Sequence, residues 1–394
     1  MVINSFMSPE KIISKYSLDK REWIHKGFHG VLHFFSPGGM PVKPLMDYYG
    51  EACELTVFFL HDNLGDWYWN HADLTKLRVS FVKKVNEDPG VLDRYLADWQ
   101  QRRRDLDDAM GKIEATDLSG LADDALVLLC VDFNRRYGLE FGISLPICDA
   151  FSMESEEFLA PTLRAIIEKK GRGAEFNALY ESLLSPVDES FVTQEYRDRL
   201  RLAAIKDFGQ LDEQGDQLLE EHAKKYHWMG NNYATDQNLG KEHFLKEMVS
   251  LQNMDIGAEL KKLDSKLENV KRAKAKLMDE LGLDLMARNL VRISEVFAYM
   301  QDERKKYALK SVHYQNKFLV EVAQRLDLSM EEARYTYVDE LPGLFKDRTK
   351  VDRAALRERK SFVLVVNTLD GSEVIAGDVA RQIFNQVFKL KEEQ

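Results

Sequence analysis

Two histidines, a tryptophan, two tyrosines and two asparagines fall within the fourteen residues from Glu220 to Tyr233, Glu-Glu-His-Ala-Lys-Lys-Tyr-His-Trp-Met-Gly-Asn-Asn-Tyr. Imidazole moves protons near neutral pH, indole and phenol rings stack on ligands, and carboxamides orient a ligand by hydrogen bonds. The spacing predicts a helix through Trp228 with His222, Tyr226 and Met229 on one face. Gly230-Asn231-Asn232 then ends it, because Gly and Asn tolerate the left-handed C-cap. The polar and aromatic groups are therefore expected at a helix end. Core Tyr and Trp residues with partnered polar tips would give the same pattern.

A second set is His25, His29 and His33, at intervals of four within Trp23 to Phe35. On a helix the three imidazoles would share a face and could ligate a metal ion, which defines a His-metal enzyme as one alternative. Gly27 and Gly30 weaken that helix, and no Asp or Glu joins the histidines inside the segment. The histidines are expected instead to line a cleft or to sit satisfied in the core, with no metal site assigned. A third set is Gln301-Asp302-Glu303-Arg304-Lys305-Lys306-Tyr307. Asp302 can pair with Lys305 or Lys306 at helical spacing, and Arg304 offers a planar fork suited to carboxylate or phosphate. His313-Tyr314 follows as a second His-Tyr pair.

Helices must position these groups. Ser8-Pro9-Glu10 starts one. Ser36-Pro37-Gly38-Gly39-Met40-Pro41 reads as an inter-helix turn, without the ending of a phosphate loop or the dinucleotide fingerprint. Leu55, Phe58, Phe59 and Asp62 to Trp69 read as a buried helix running into an aromatic turn. Further helices are expected over Leu74–Val85, from Asp88-Pro89 to about Met110, and over Asp123–Leu139, Ser155–Lys169, Ala174–Leu184 and Phe191–Phe208. Arg102-Arg103-Arg104 is expected on a solvated face. After the opening motif come Lys241–Leu251, a long amphipathic helix Ile256–Leu281 ended by Gly282, and a second long helix Leu283–Leu309. Ser329-Met330-Glu331-Glu332 is a capping box. Phe362–Val366 and Val374-Ile375, around the turn Leu369-Asp370-Gly371-Ser372, form a β-hairpin, and Val379–Leu390 is a last helix.

A net charge of -11 over 394 residues argues against a dedicated nucleic-acid binder. Cys53, Cys130 and Cys148 have no metal-ligand spacing, and an odd count gives no disulfide framework, so they are expected as reduced, buried thiols of a cytoplasmic protein. No signal-peptide pattern opens the chain, and no run of about 18 apolar residues crosses a membrane.

The second half resembles the phosphoenolpyruvate-utilising enzymes, such as phosphoenolpyruvate synthase-like proteins and rifampicin phosphotransferase. The resemblance is to the helical region that precedes their swivelling phosphohistidine domain. It is carried by His222, Tyr226-His227-Trp228, Asn231-Asn232-Tyr233, Asp302, Arg304-Lys305, Tyr335 to Leu341, Arg359-Lys360 and Ile375-Ala376-Gly377. It implies a helical substrate-side or scaffold module. ATP or phosphoenolpyruvate and Mg would act only through an ATP-grasp domain and a phosphohistidine domain, in cis or in trans. The Thr-Ser-His-Ala-Ala type motif of the phosphohistidine domain is absent, as is an ATP-grasp pattern. On this reading His222 and His227 serve hydrogen bonding or proton transfer, and Arg304 and Lys305 contact an anion. Trp228 and Tyr233 form walls, and Asn231, Asn232 and His313 complete the substrate site. The rival reading is a non-catalytic helical binding or scaffold protein. The expected architecture is mainly α, a multi-helix bundle with a small C-terminal hairpin. It divides into a helical region 1–190, the family-like region 191–360, and a hairpin and helix 361–394 leading to a swivelling domain.

Overall fold

The computed structural model describes residues 2–3, 7–36, 53–153 and 155–389. Helix accounts for 72% of it, so the mainly-α class holds. The helices are α1 (Pro9–Tyr16), α2 (Leu32–Phe35), α3 (His71–Glu87), α4 (Gly90–Glu114), α5 (Asp123–Ser152), α6 (Ser155–Lys169), α7 (Phe176–Leu184), α8 (Phe191–Ile205), α9 (Glu213–Tyr226), α10 (Lys241–Val249), α11 (Ile256–Leu281), α12 (Leu285–Arg325), α13 (Met330–Ala333), α14 (Leu341–Lys346), α15 (Arg353–Ser361) and α16 (Gly377–Ile383). The turn expected at Ser36 to Pro41 lies, beyond Ser36, outside the described residues.

The sheet is larger than the expected hairpin. Strands β1 (Val2–Ile3), β2 (Trp23–His29), β3 (Leu55–His61), β4 (Leu64–Asn70), β5 (Val363–Thr368) and β6 (Gly371–Ala376) pair in the order β1-β6-β5-β3-β4-β2. β1 runs parallel to β6, and every other pair is antiparallel. Two expectations are thereby corrected. Leu55 to Trp69 is not a helix with an aromatic turn but the hairpin β3–β4. Trp23 to Phe35 is not one helix but the edge strand β2 followed by the single turn α2.

For β3 and β4 the physical reason is burial on both faces, whereas β2 alternates in exposure and its four-residue histidine spacing imitates a helix. Phe58, Leu60, Trp67, Trp69, Val363, Val365 and Val374 face the main helical core. Leu55, Val57, Phe59, Tyr68, Leu364, Val366 and Ile375 face a second core closed by Ile12 of α1 and Ala380 and Ile383 of α16. A strand covered on both sides carries a continuous apolar run, which mimics a buried helix in sequence. Asp62 and Asn63, with φ of 47° and 67°, make the two-residue turn between β3 and β4. Asp and Asn accept the positive φ that such a hairpin turn demands.

The helical expectations fare better. α11 ends at Leu281, where Gly282 adopts φ 63°. α12 starts on Asp284, whose side chain accepts from the Ala287 amide at 2.9 Å. It runs past Leu309 to Arg325 and so carries His313 and Tyr314 as well as Arg304. α5 likewise continues past Leu139 to Ser152. The capping box at Ser329 and Glu332 is formed. One core cluster runs from Val31 to Val374 and draws on all three regions marked out in sequence. The C-terminal hairpin is central to the sheet, with β5 paired to β3.

Candidate active-site cleft around Arg304

Two long helices and the edge of the sheet enclose a cleft of about 290 Å³. α5 contributes Phe141, Leu145 and Asp149, three residues spaced by four that form one stripe. α12 contributes Gln301, Arg304 and Lys305, at the spacings three and four that share a face. The sheet contributes Lys26 and Phe28 from β2 and, directly across from Lys26, Trp67 of β4. Gly27, Phe35 and Tyr233 complete the lining.

Local geometry fixes these walls. Phe28 lies opposite Gly65 on β4, and its ring covers that glycine so closely that an added Cβ would sit 2.3 Å from the ring. Only glycine permits this approach. The ring then stacks on Phe35 at 4.2 Å between centroids. Tyr233 is held by its backbone: Gly30 and Tyr233 form a β-bridge, and the Val31 amide donates to the Tyr233 carbonyl at 2.9 Å. Its ring meets Phe35 edge-on at 5.1 Å.

Arg304 is the electrostatic centre. It is 5% exposed, and its guanidinium lies 5.2 Å from the centroid of the Phe141 ring. Burial disfavours its charge, but Tyr233, Asp149, Cys148 and Glu140 more than compensate, so its pKa is raised. Asp149, fully buried, is engaged elsewhere: Lys26 Nζ donates to Oδ1 at 2.9 Å and Trp69 Nε1 to Oδ2 at 3.0 Å. Arg304 Nε and Trp67 Nε1 are buried donors without a hydrogen-bond partner among the described residues. Unpaired buried donors are costly and rare in folded proteins. Both belong to residues that line the cleft. Behind Phe141 on α5, Glu140 is fully buried and accepts from Trp99 Nε1 at 2.8 Å. Burial pushes its carboxyl up to about 7, against the pull of Trp99, Arg304 and Arg103.

The residues nominated from sequence divide into three places. Tyr233, Arg304 and Lys305 meet in the cleft. His222 and Trp228 do not; both belong to a separate cluster between α8, α9 and α10. His222 Nε2 donates to Glu195 Oε1 at 3.0 Å, with its ring against Tyr226 and Phe244. Trp228 is 3% exposed and its Nε1 donates to the Lys225 carbonyl at 2.9 Å. His227 and His313 form a third place, an edge-on pair at 4.4 Å, with His313 Nδ1 3.4 Å from Asp236 Oδ2. Burial and the neighbouring His313 push His227 down to about 4. Asn231 and Asn232 hold backbone. Asn231 donates to the Leu309 carbonyl and accepts from the Gln237 amide, and Asn232 accepts from the Ala234 and Thr235 amides.

The three N-terminal histidines do not converge. His25 lies on β2, paired with Asp66 at 2.8 Å, and His29 ends that strand. His33 is fully buried on α2, with Nδ1 3.0 Å from Thr336 Oγ1, and burial lowers it to about 4. Among the described residues no group of three His, Cys, Asp or Glu is placed to hold a metal ion. The three cysteines are free and buried. Among the described residues no helix is long and apolar enough to cross a membrane.

Lys26, Phe28, Trp67, Glu140, Phe141 and Asp149 were not singled out as site residues by the sequence. Glu140 and Asp149 carried one usable signal: two acids inside an otherwise apolar stretch of helix must be paired or functional. No family model, curated protein or solved structure matches the chain.

Proposed function

We propose that this chain is the substrate-side helical module of a phosphoenolpyruvate synthase-like phosphotransferase, and that it holds a small anionic molecule in the cleft around Arg304. One observation carries the binding part of this reading: a buried guanidinium with an unpartnered Nε, beside a second unpartnered donor on Trp67. Phosphoryl transfer depends on positioning and charge neutralisation, which such a cleft supplies to an acceptor. The phosphoryl donor, ATP or phosphoenolpyruvate with Mg, would come from partner domains.

The test is isothermal titration of small carboxylates and phosphate esters into the wild type and Arg304→Met. Binding to the wild type that weakens at least about 30-fold in the variant, or about 2 kcal/mol, supports the reading. Equal affinity in both removes it. A second reading, a non-catalytic binding protein for the same anion, is favoured by the position of His222 and His227, which line no part of the cleft. Incubating the ligand-loaded chain with a phosphorylated phosphohistidine domain separates the two, because only the phosphotransferase reading predicts a phosphorylated ligand.

A further inference from the structure

We infer that the ligand of the Arg304 cleft is a monoanionic carboxylate borne on a small flat ring or an equally flat unsaturated frame. The inference rests on the anion-binding reading above and narrows it by charge, donor count and shape.

Four charged residues line the cleft: Lys26, Asp149, Arg304 and Lys305. Lys26 and Asp149 cancel each other in an ion pair of 2.9 Å. Lys305 is exposed at the mouth, where water and salt screen it. One positive charge remains uncompensated in the buried part, that of Arg304. A monoanion balances it, whereas a phosphate dianion would bring a second negative charge close to the fully buried Asp149.

The donors agree with this count. Two buried N–H groups await acceptors, Arg304 Nε and Trp67 Nε1. A carboxylate presents two oxygens in one plane and satisfies both. The planar fork of the guanidinium matches those two coplanar oxygens.

Shape follows from the walls. Phe28, Phe35, Phe141 and Trp67 supply aromatic surface, and Leu145 is the aliphatic exception. A flat frame gains stacking and edge contacts that a bulky saturated one cannot make in the same space. The volume, about 290 Å³, sits at the lower end of ligand pockets, which run from about 300 Å³ upward, and suits a small aryl carboxylate.

The test is titration of benzoate, benzamide, cyclohexanecarboxylate and phenyl phosphate into the full chain. The expected result is benzoate binding at least tenfold tighter than each of the other three. Phenyl phosphate binding tighter than benzoate overturns the carboxylate inference and leaves the anion reading standing. Cyclohexanecarboxylate equalling benzoate overturns the flat-frame inference alone. Benzamide equalling benzoate, or no binding by any of the four to protein whose circular dichroism is that of a folded helical chain, overturns the inference; in the benzamide case the anion reading falls with it. If no aryl compound binds but acetate and inorganic phosphate do, the aromatic walls serve the core and only the anion reading survives.

Discussion

The His222 cluster and the Arg304 cleft are built from the same kinds of residue, a cation or imidazole among aromatic rings, yet they differ in one respect. Around His222 the polar atoms are largely paired: Nε2 with Glu195, Trp228 Nε1 with a carbonyl, the Tyr226 hydroxyl with Asp198. Around Arg304 two buried donors without a hydrogen-bond partner among the described residues belong to side chains that line a cleft. Paired groups specify and stabilise a fold, and unpaired ones wait for a ligand. Arg199 Nε, 3.3 Å from Glu195 Oε1, is also a buried donor without a hydrogen-bond partner, so what separates the two regions is that the unpartnered residues at Arg304 line a cleft.

The comparison is open to several breaks. The largest effect is expected from His222→Ala. It opens a cavity beside Phe244 and strips Glu195 of a buried partner, so denaturant unfolding is expected to show a loss of about 2–4 kcal/mol. A loss below about 0.5 kcal/mol would mean that the His222 cluster is not structural, and the contrast with the cleft would collapse.

Next comes the pH response of Glu140, the neighbour of Phe141 on α5. Glu140 is raised from 4.5 to about 7 in the fold. Between those values the folded chain keeps a proton that the unfolded chain has lost, so this group's contribution is complete below pH 4.5 and is lost as pH rises through about 7. The size is of order 3 kcal/mol. His33 and His227, each lowered to about 4, act in the opposite direction, costing stability as pH falls from 6.5 towards 4. Subtracting the stability profile of Glu140→Gln from that of the wild type isolates the first contribution. A flat difference between pH 4.5 and 7 would show that Glu140 is not held protonated by its burial.

The smallest effect is that of Trp67→Phe. It keeps the aromatic wall and removes one donor, so the affinity for a bound carboxylate is expected to fall about fivefold, close to 1 kcal/mol, with unfolding free energy unchanged or raised. Unchanged affinity in a titration would mean that the indole N–H does not reach the ligand.

How much of this was legible in sequence depends on which force shaped each segment. Ile256 to Leu281 could be read to the residue because its apolar stripe and Gly282 stop are local signals. Leu55 to Trp69 could not, because a strand buried on both faces loses its alternation; the Asp62-Asn63 turn was the one local clue. The site behaved similarly. Arg304, Lys305 and Tyr233 were legible as chemistry-bearing types. Their partners were not, because Lys26 and Trp67 come from the misread strands, and Asp149 lies 155 residues before Arg304 in sequence. His222 and Trp228 were legible as rich chemistry and proved to be held by Glu195 and Lys225, a pairing that sequence spacing does not reveal.

The stability of Arg304→Met is the most direct measurement. If Arg304 is kept for a ligand, its Nε goes without a hydrogen-bond partner in the empty fold, and Asp149 retains Lys26 and Trp69 without it. The variant is then expected to unfold within about 1 kcal/mol of the wild type, or above it. A loss of about 3 kcal/mol or more, the usual result of breaking a structural buried pair, would contradict the assignment and make Arg304 a strut of the core.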